Sequence, residues 1–566
     1  MNARPNPRRH AFNSLVRYGL IALSATIPAA IGCMGPLFRH QSPEKSLADD
    51  DGDDGGVKLV SSVAHPYGLG YAKVESLGLV TGLQGTGEDP APSPQRGTVL
   101  AELNRREIAN PNEVLASPNT AIVLVRGVLR PGIQKGDRFD VEVRIPTRSE
   151  TSSLRSGTLL ETELAETAVL GDQIRKGHVT GVAAGPILVD PSADVDGSTA
   201  YLTKGRILGG GVATKSRNLG LFLDHSNQTV RMSAMVGKAV NERFYAYLDG
   251  QRRGVATPKD NKFIEIDVHP RYKDNVGRYM RVVRSIAIRE SPSQRLARLD
   301  LLRNQLLDPV TTGNAALRLE AIGNDEAIAA LKAGVASDDA EVRFHAAEAL
   351  AYLDVTEAVA PLAAAARDEP AYRVHALGAL STMQDAAASE ALVEMLELKS
   401  AETRYGAFRS LWKMSPNHPT IRGENLAGKF NYHVVDVPGP TMVHVTSSHR
   451  AEIVLFGRDQ KLKLPMVADA GKWIMLNGLS GGQLTISRFV PNQPTEQRTV
   501  STDLDDVIRA IVELGGEYPD VVQMLQQAKT SGSLTSRLAV NALPEAGRDA
   551  EEKRPGDEDA DRVAAR

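Results

Sequence analysis

Apolar and polar positions alternate through the first half of the chain with the two-residue period of half-buried strands. RFDVEVRI (138–145) puts Phe139, Val141, Val143 and Ile145 on one face, and AIVLVRGVL (121–129) is a nearly continuous apolar strand. RPGIQKGD (130–137), with one proline and two glycines, predicts the turn between them. TVRMSAMV (229–236) and FIEIDV (263–268) repeat the strand pattern, and helices over 57–290 are expected to be few and short. From Ser291 to Met414 the texture changes to Ala and Leu at helical spacing. Strands return between Lys429 and Thr499 in MVHVT, AEIVLF, WIMLN and QLTISRF. Two helices follow, DLDDVIRAIVELG (503–515) and YPDVVQMLQQA (518–528); Pro519 sits just inside the second start, where a missing N–H is harmless. The predicted fold class is α+β: β-rich regions interrupted by an all-α solenoid and closed by a C-terminal helix pair.

The helical stretch repeats. EVRFHAAEALAYL starts at Glu341, AYRVHALGALSTM at Ala371 and ETRYGAFRSLWKM at Glu402. Arg343, Arg373 and Arg404 therefore recur about every 30 residues, as do Ala346, Ala376 and Ala407, and Leu350, Leu380 and Leu411. ALRLEAIG (316–323) is an earlier, weaker copy. A small residue at a fixed helical position lets neighbouring helices approach closely, and the leucine fills the layer between repeats. Asp338, Asp339 and Ser400 precede helix starts as N-caps. The pattern resembles short HEAT-like repeats in three or four copies, over 291–425. The recurrent arginines are candidates for the solenoid surface, either as a basic stripe or paired with a preceding acid such as Asp339 or Glu402.

Composition sets limits. With 42% hydrophobic and 24% charged residues the chain can build real cores, and its 566 residues suggest several folded units. Aromatics are only 5%, so those cores are aliphatic. A formal charge of −3 argues against sequence-independent nucleic-acid binding, which needs clustered cations. Residues 1–32 hold Arg4, Arg8, Arg9 and Arg17 and no acid, then an apolar run, then Cys33, the single cysteine. This is the layout of a secretory signal. Ala30, Ile31 and Gly32 before Cys33 resemble the lipobox of bacterial lipoproteins, which implies cleavage before Cys33 and its lipidation. Met34, where an Asp would favour inner-membrane retention, points to the outer membrane. Loss of residues 1–32 takes away four arginines and moves the charge from −3 to about −7. Residues 33–56, ending in DDDGDDGG, read as an acidic linker, and 541–566 as a disordered charged tail.

Motifs for chemistry are weak. LGLVTGLQGTGED (77–89) has Gly82, Gly85 and Gly87 after a strand, but the three prolines of DPAPSPQRG forbid the immediate helix that a dinucleotide site requires. GGGVATKS (209–216) has Thr214 where a phosphate loop needs glycine before Lys215, so it reads as a β-turn. His433, His444 and His449 have no carboxylate at metal-shell spacing and read as core or solvated histidines. There is no HExxH, no GxSxG and no defensible carboxylate pair. The expectation is a protein without catalytic, cofactor or metal residues.

The β-rich part carries a run of motifs similar to the flagellar P-ring protein family. GLVTGLQGTGED (78–89) looks like that family's glycine-rich N-terminal block. NTAIVLVRGVLRPGIQKGDRFDVEV (119–143) resembles its next block, in which a Pro/Gly turn leads to a D-V-x-V strand. SSLRSGTLLETEL (152–164) matches its S-L-R-x-G-T-L-L segment, with Ser156 and Glu163 in place of the usual Gly and Pro. DLDDVIRAIVELGGEYPDVVQMLQQAKTSGSLTSRLAV (503–540) looks like its closing helix pair. The domains expected are a signal segment (1–32), linker (33–56), P-ring-like β-rich region (57–290), inserted HEAT-like solenoid (291–425), β-rich segment (426–500), P-ring-like helix pair (501–540) and tail (541–566). The resemblance implies a structural subunit, many copies of which close into a periplasmic ring around the flagellar rod, with rod and outer-ring proteins as partners. Gly82, Gly85, Gly87, Arg155 and Gly157 are then candidates for subunit or rod contact. The solenoid would project and offer its concave side to an envelope protein or to peptidoglycan. Family members usually lack both the repeats and a lipidated cysteine. The alternatives are an outer-membrane lipoprotein adaptor that binds a partner through the repeats without forming a ring, and, more remotely, an enzyme, since some short HEAT-like repeats belong to bilin lyases.

Overall fold

The alternation at 121–145 folds as expected, into adjacent strands of a closed barrel. The computed structural model describes residues 56–170, 173–190, 199–248, 250–479 and 481–544. The signal segment, Cys33 with its lipidation, all but the end of the linker, and the tail beyond 544 lie outside these residues. After β1 (Ala64–Tyr67) come β2 (Ala72–Thr81), helices α1 (Pro94–Arg105) and α2 (Pro111–Leu115), β3 (Ala121–Leu129), β4 (Arg138–Arg144), β5 (Thr158–Leu170), β6 (Gln173–Pro186), β7 (Leu188–Val189), α3 (Thr199–Leu202) and β8 (Lys204–Ala213). The order β4-β3-β2-β5-β6-β8 closes because β4 also pairs with β8, which leaves the barrel without edges of its own; β7 adds to β8 outside it. Phe139 fills the interior against Gly127, Gly181 and Gly211, where an added Cβ would lie 2.5 to 2.9 Å from its ring. Three glycines thus make room for one large side chain. Helix α1 starts at Pro94 with Ser93 as its N-cap and covers Leu79 and Ile122 with Val99 and Leu103. The prolines of 90–94 delay a helix rather than forbid one.

Beside the barrel, β9 (Leu219–Leu223), β12 (Ala256–Pro258) and β13 (Phe263–Ile266) join β1 in the order β1-β9-β13-β12, and β10 (Tyr245–Leu248) pairs with β11 (Gln251–Gly254). The expected strand at 229–236 is instead the start of helix α4 (Val230–Arg243), capped by Thr229. Its buried residues Ser233, Val236, Gly237 and Val240 follow a helical period that an eight-residue window is too short to show. Helix α5 (Val276–Arg284) ends this region.

Eight helices form four consecutive pairs: α6 (Pro292–Leu306) with α7 (Thr312–Ile322), α8 (Asp325–Val335) with α9 (Ala340–Tyr352), α10 (Val359–Asp368) with α11 (Pro370–Leu380), and α12 (Ala386–Met395) with α13 (Ala401–Met414). The repeat positions Ala346, Ala376, Ala407, Leu350, Leu380 and Leu411 are completely buried. Asp339 and Ser400 cap α9 and α13; Asp338 does not cap. In α7, α9 and α13 nearly every side is buried, polar residues included, as in helices held between two layers.

The last region contains β14 (Gly423–Leu426), β15 (Phe430–Val435), β16 (Met442–Val445), β17 (Glu452–Phe456), β18 (Met466–Ala470), β19 (Ile474–Gly478), β20 (Gln483–Arg488), β21 (Glu496–Ser501), α14 (Leu504–Glu513), α15 (Tyr518–Thr530) and β22 (Arg537–Val540). Strands β14-β15-β17-β16-β22 form a mixed sheet and β18-β19-β20-β21 an antiparallel one. Both sheets, α14 and α15 share one core, and the strict alternation of buried and exposed positions in β18 and β19 turns Met466, Ala468, Ile474 and Leu476 into it. The fold is α+β, a barrel-containing β-rich region followed by HEAT-like helices and a second β-rich region.

Candidate functional site

The glycine-rich loop and the Arg155–Gly157 turn, far apart in sequence, meet at one end of the barrel. Thr86 Oγ1 donates to the Ser153 carbonyl (2.8 Å), the Ser152 amide donates to the Thr86 carbonyl (2.9 Å), and Gln84 Nε2 donates to Ser156 Oγ (3.1 Å). A second set of bonds ties the loop to the residues before β3: Leu83 N to Asn119 O, Gly85 N to Asn119 Oδ1, and Gly87 N to Pro118 O. Each glycine has a local reason. Gly82 and Gly85 have φ of +79° and +75°, and a Cβ on Gly87 would meet the Thr120 carbonyl oxygen at 2.1 Å. Gly157 is buried, and a Cβ there would lie 2.6 Å from Val80 and 2.9 Å from Leu83. Ser156 has a φ of +60°, the left-handed region where glycine is the easy residue. Glu163 lies 3.1 Å from Arg105 of α1.

Gly82 and Gly85 are exposed, whereas Gly87 and Gly157 are held inside the loop packing. Arg155 is half-buried and lines a cleft of about 30 Å³ with Ile187 to Asp190 around β7 and Pro519 to Gln526 of α15. A larger groove of about 170 Å³ runs between α1 and the barrel wall, lined by Leu77, Leu79, Val99, Leu103 and Leu160 with Glu102 and Arg106 beside them. Arg105 and Arg106 hold the Glu102 carboxyl below its ordinary pKa.

The repeat arginines do not form a solvent-facing basic stripe. Arg373 and Arg404 cap the end of the helix before their own, and Arg343 bonds the turn just past it. Arg343 Nη1 donates to the carbonyls of Ser337 (2.9 Å) and Asp338 (2.7 Å) after α8. Arg373 Nε donates to Ala366 O (2.8 Å) and Nη2 to Arg367 O (3.3 Å) at the end of α10, with Glu402 3.8 Å away. Arg404 Nε donates to Leu396 O (2.8 Å) after α12. Expected at the surface, Arg404 is only 1% exposed; it lies over the Phe456 ring and donates to the Pro440 carbonyl. Burial lowers its pKa to about 10. The physical reason is shared: carbonyls left unpaired at a helix end, or for Arg343 in the turn after it, attract a cation from the next helix.

His433 and His444 are both buried, His433 beside a carboxylate. Glu452, with no exposed surface, accepts from Tyr405 Oη (2.8 Å) and from Arg450; Arg409 and His433 lie 3.7 Å away. His444 stacks on Tyr405 with ring centroids 3.4 Å apart and accepts the Ala542 amide on Nε2 (3.0 Å). Burial lowers the pKa of both histidines, and for His444 strongly. His449 has a φ of +68°, and its amide donates to Asp140 Oδ2 (2.6 Å); the other oxygen accepts from Gly209 N (2.8 Å). Asp140 is the aspartate of the D-V-x-V strand, and sequence reasoning gave it no role. Among the described residues no cluster of His, Cys, Asp and Glu has metal-binding geometry.

These observations define the class first: a scaffold of closed barrel, helical repeats and a second β-rich region, whose distinctive residues hold loops and helix ends in place. The comparisons supply the family. Residues 60–298 match the flagellar P-ring protein family and residues 297–374 match HEAT repeats, so the chain carries a P-ring family domain followed by HEAT repeats. A flagellar P-ring protein of Nitrosospira multiformis is 31% identical over 224 residues, 36% of this chain and 56% of that protein. The Hydrogenovibrio crunogenus protein is 26% identical over 244 residues, 41% of this chain and 61% of its own length. The Shewanella baltica protein is 32% identical over 166 residues, 28% and 42% of the two chains. The chain thus spans little more than half the length of the first two curated relatives. Among solved structures, human deoxyhypusine hydroxylase matches at 26% identity over 21% of this chain and 43% of that one, with a TM-score of 0.19. The matched family is one of structural flagellar proteins and not an enzyme family.

Proposed function

We propose that the protein is a structural subunit of a periplasmic ring around the flagellar rod, a P ring, with the repeats as an inserted domain at 291–425. The P-ring family domain at 60–298 carries this reading. Supporting it, the barrel meets the C-terminal region directly, through Asp140 to His449 and through Arg206 Nη1 to the Ser447 carbonyl (3.5 Å). The chain leaves the first region beside its own start, where Ala287 bridges Leu59, so the helices need not bear the only link between the two β-rich parts. The likeness of 503–540 to the family's closing segment extends the proposal to that end. Gly82 and Gly85 are the exposed candidates for subunit or rod contact, and lipidation of Cys33 would hold the subunit at the outer membrane. A solenoid partner, whether an envelope protein or peptidoglycan, would meet the face of α6, α8, α10 and α12, because the chain itself packs against α7, α9 and α13.

The adaptor reading keeps one observation of its own, the lipobox-like Cys33 that ring subunits usually lack. Antibody to residues 291–425 applied to purified basal bodies separates the two. Label on a ring around the rod is the expected result. Unlabelled rings, with the protein recovered in the outer-membrane fraction, would replace the ring subunit by the adaptor.

A further inference from the structure

We propose that the helical repeats act as an internal brace: the α7, α9 and α13 side docks the chain's own two β-rich regions and fixes their relative placement. The first joint is an ion network. Arg278 of α5, 3% exposed, lies 2.6 Å from Glu320 of α7 and 2.7 Å from Glu348 of α9, both of which are buried. Tyr272 Oη donates to Glu320 Oε1 (2.5 Å) and its ring stacks on Tyr352 of α9 at 4.8 Å. Arg243 of α4 donates to the Glu320 carbonyl (2.9 Å). Burial alone would lower the Arg278 pKa, but the two glutamates outweigh it and push it up, so the guanidinium stays charged.

The second joint is at the far end of the solenoid. Tyr405 and Arg409 of α13 converge on Glu452 of β17, and Arg404 reaches Pro440 and Phe456. Past β22, Pro544 comes back over Gly406 of α13, where a Cβ would lie 3.2 Å from it. A third joint links α13 to the first region: Lys413 Nζ is 2.8 Å from Asp274, which also lies 3.8 Å from Arg130 in the turn between β3 and β4. Burial pushes the Asp274 carboxyl up, but Lys413 and Arg130 more than offset this and keep its pKa below the ordinary value. Helix α13 therefore grips both β-rich regions, and the contact of Asp140 in the barrel with His449 in the loop between β16 and β17 closes a triangle. Buried charges whose partners lie on another element are costly to separate, which is what a brace requires and a tether does not.

The test is thermal unfolding with hydrogen exchange on the whole mature chain, and it holds whether or not the protein forms a ring. Wild type is expected to unfold in one transition. Tyr405→Phe is expected to raise exchange about tenfold or more in α13 and in β15 to β17 together, and Lys413→Met to do so in α13 and in the segment of Asp274 and the start of α5; both are mild changes that keep every helix. Arg278→Met is expected to do the same in α5, α7 and α9, and to split the transition. A wild-type chain whose repeats melt separately from both β-rich regions would overturn the brace. So would variants that fold but change exchange only at the substituted residue.

Discussion

Whether Gly87 tolerates a methyl group depends on the 2.1 Å separation between its would-be Cβ and the Thr120 carbonyl oxygen. The contact is with backbone of the segment just before β3, so it cannot be relieved by a rotamer change. Gly87→Ala and Gly157→Ala are each expected to cost about 2 kcal/mol or more in urea unfolding. Gly85→Ala, with nothing within 4 Å but a φ of +75°, is expected to cost only about 1 kcal/mol. Ser156→Gly runs the other way. It relieves a left-handed serine and loses one exposed bond from Gln84, so the same assay should show no loss and up to about 1 kcal/mol of gain. If Gly85→Ala proved as damaging as Gly87→Ala, the loop would have a constraint beyond backbone geometry.

At the scale of elements, the arginine of each repeat works through the helix before it. Arg343 and Arg373 are partly exposed, and their alanine variants are expected to lose about 1 kcal/mol each. Arg404 is buried, stacked and bonded to carbonyls in two regions, so Arg404→Ala should cost about 3 kcal/mol, measured as a lower urea midpoint. Equal losses at the three positions would mean that the capping bond alone matters and that burial adds nothing. Asp140→Ala strands two amides, Gly209 N and His449 N, at the contact between barrel and C-terminal region. A loss of about 2 to 4 kcal/mol is expected, with faster hydrogen exchange in the loop between β16 and β17.

For the whole molecule, the buried histidines set a pH dependence. His269, His433 and His444 all have folded pKa values below the ordinary 6.5, mainly because burial disfavours the charged ring. A lowered histidine leaves the unfolded chain binding more protons than the folded one below pH 6.5. The stability they contribute is therefore complete above about pH 6.5 and is lost as the pH falls through the folded values. Each histidine can add at most about 1.4 kcal/mol per pH unit. Urea midpoints should fall between pH 6.5 and 5, and His444→Gln should flatten that slope, since Nε2 must stay unprotonated to accept the Ala542 amide. A slope unchanged in His444→Gln would assign the effect to other groups.

Local spacing was enough to read the β-rich texture, the roughly 30-residue repeat, the final helix pair and the turn at 130–137, because each depends on neighbours within a few turns of chain. GGGVATKS, read as a β-turn, is instead mostly strand β8, where Gly211 makes room for the Phe139 ring. A short window failed at 229–236, where four apolar positions fit both periods and only the later Ala239 and Val240 mark a helix. The docking of the glycine loop on the 152–157 turn was not legible, since barrel closure brings those residues together. Nor could the role of Asp140 be read, because its partner His449 lies 309 residues away. The same holds for the repeats: sequence fixes alanine and leucine in the layers between helices, since those contacts recur with the period. What covers α7, α9 and α13 is decided by the tertiary structure alone. Arg278, Glu320, Glu348 and Glu452 look like ordinary surface charges in the sequence; only the meeting of distant elements removes water from them, gives Arg278 its two glutamates and brings Tyr405 and Arg409 to Glu452.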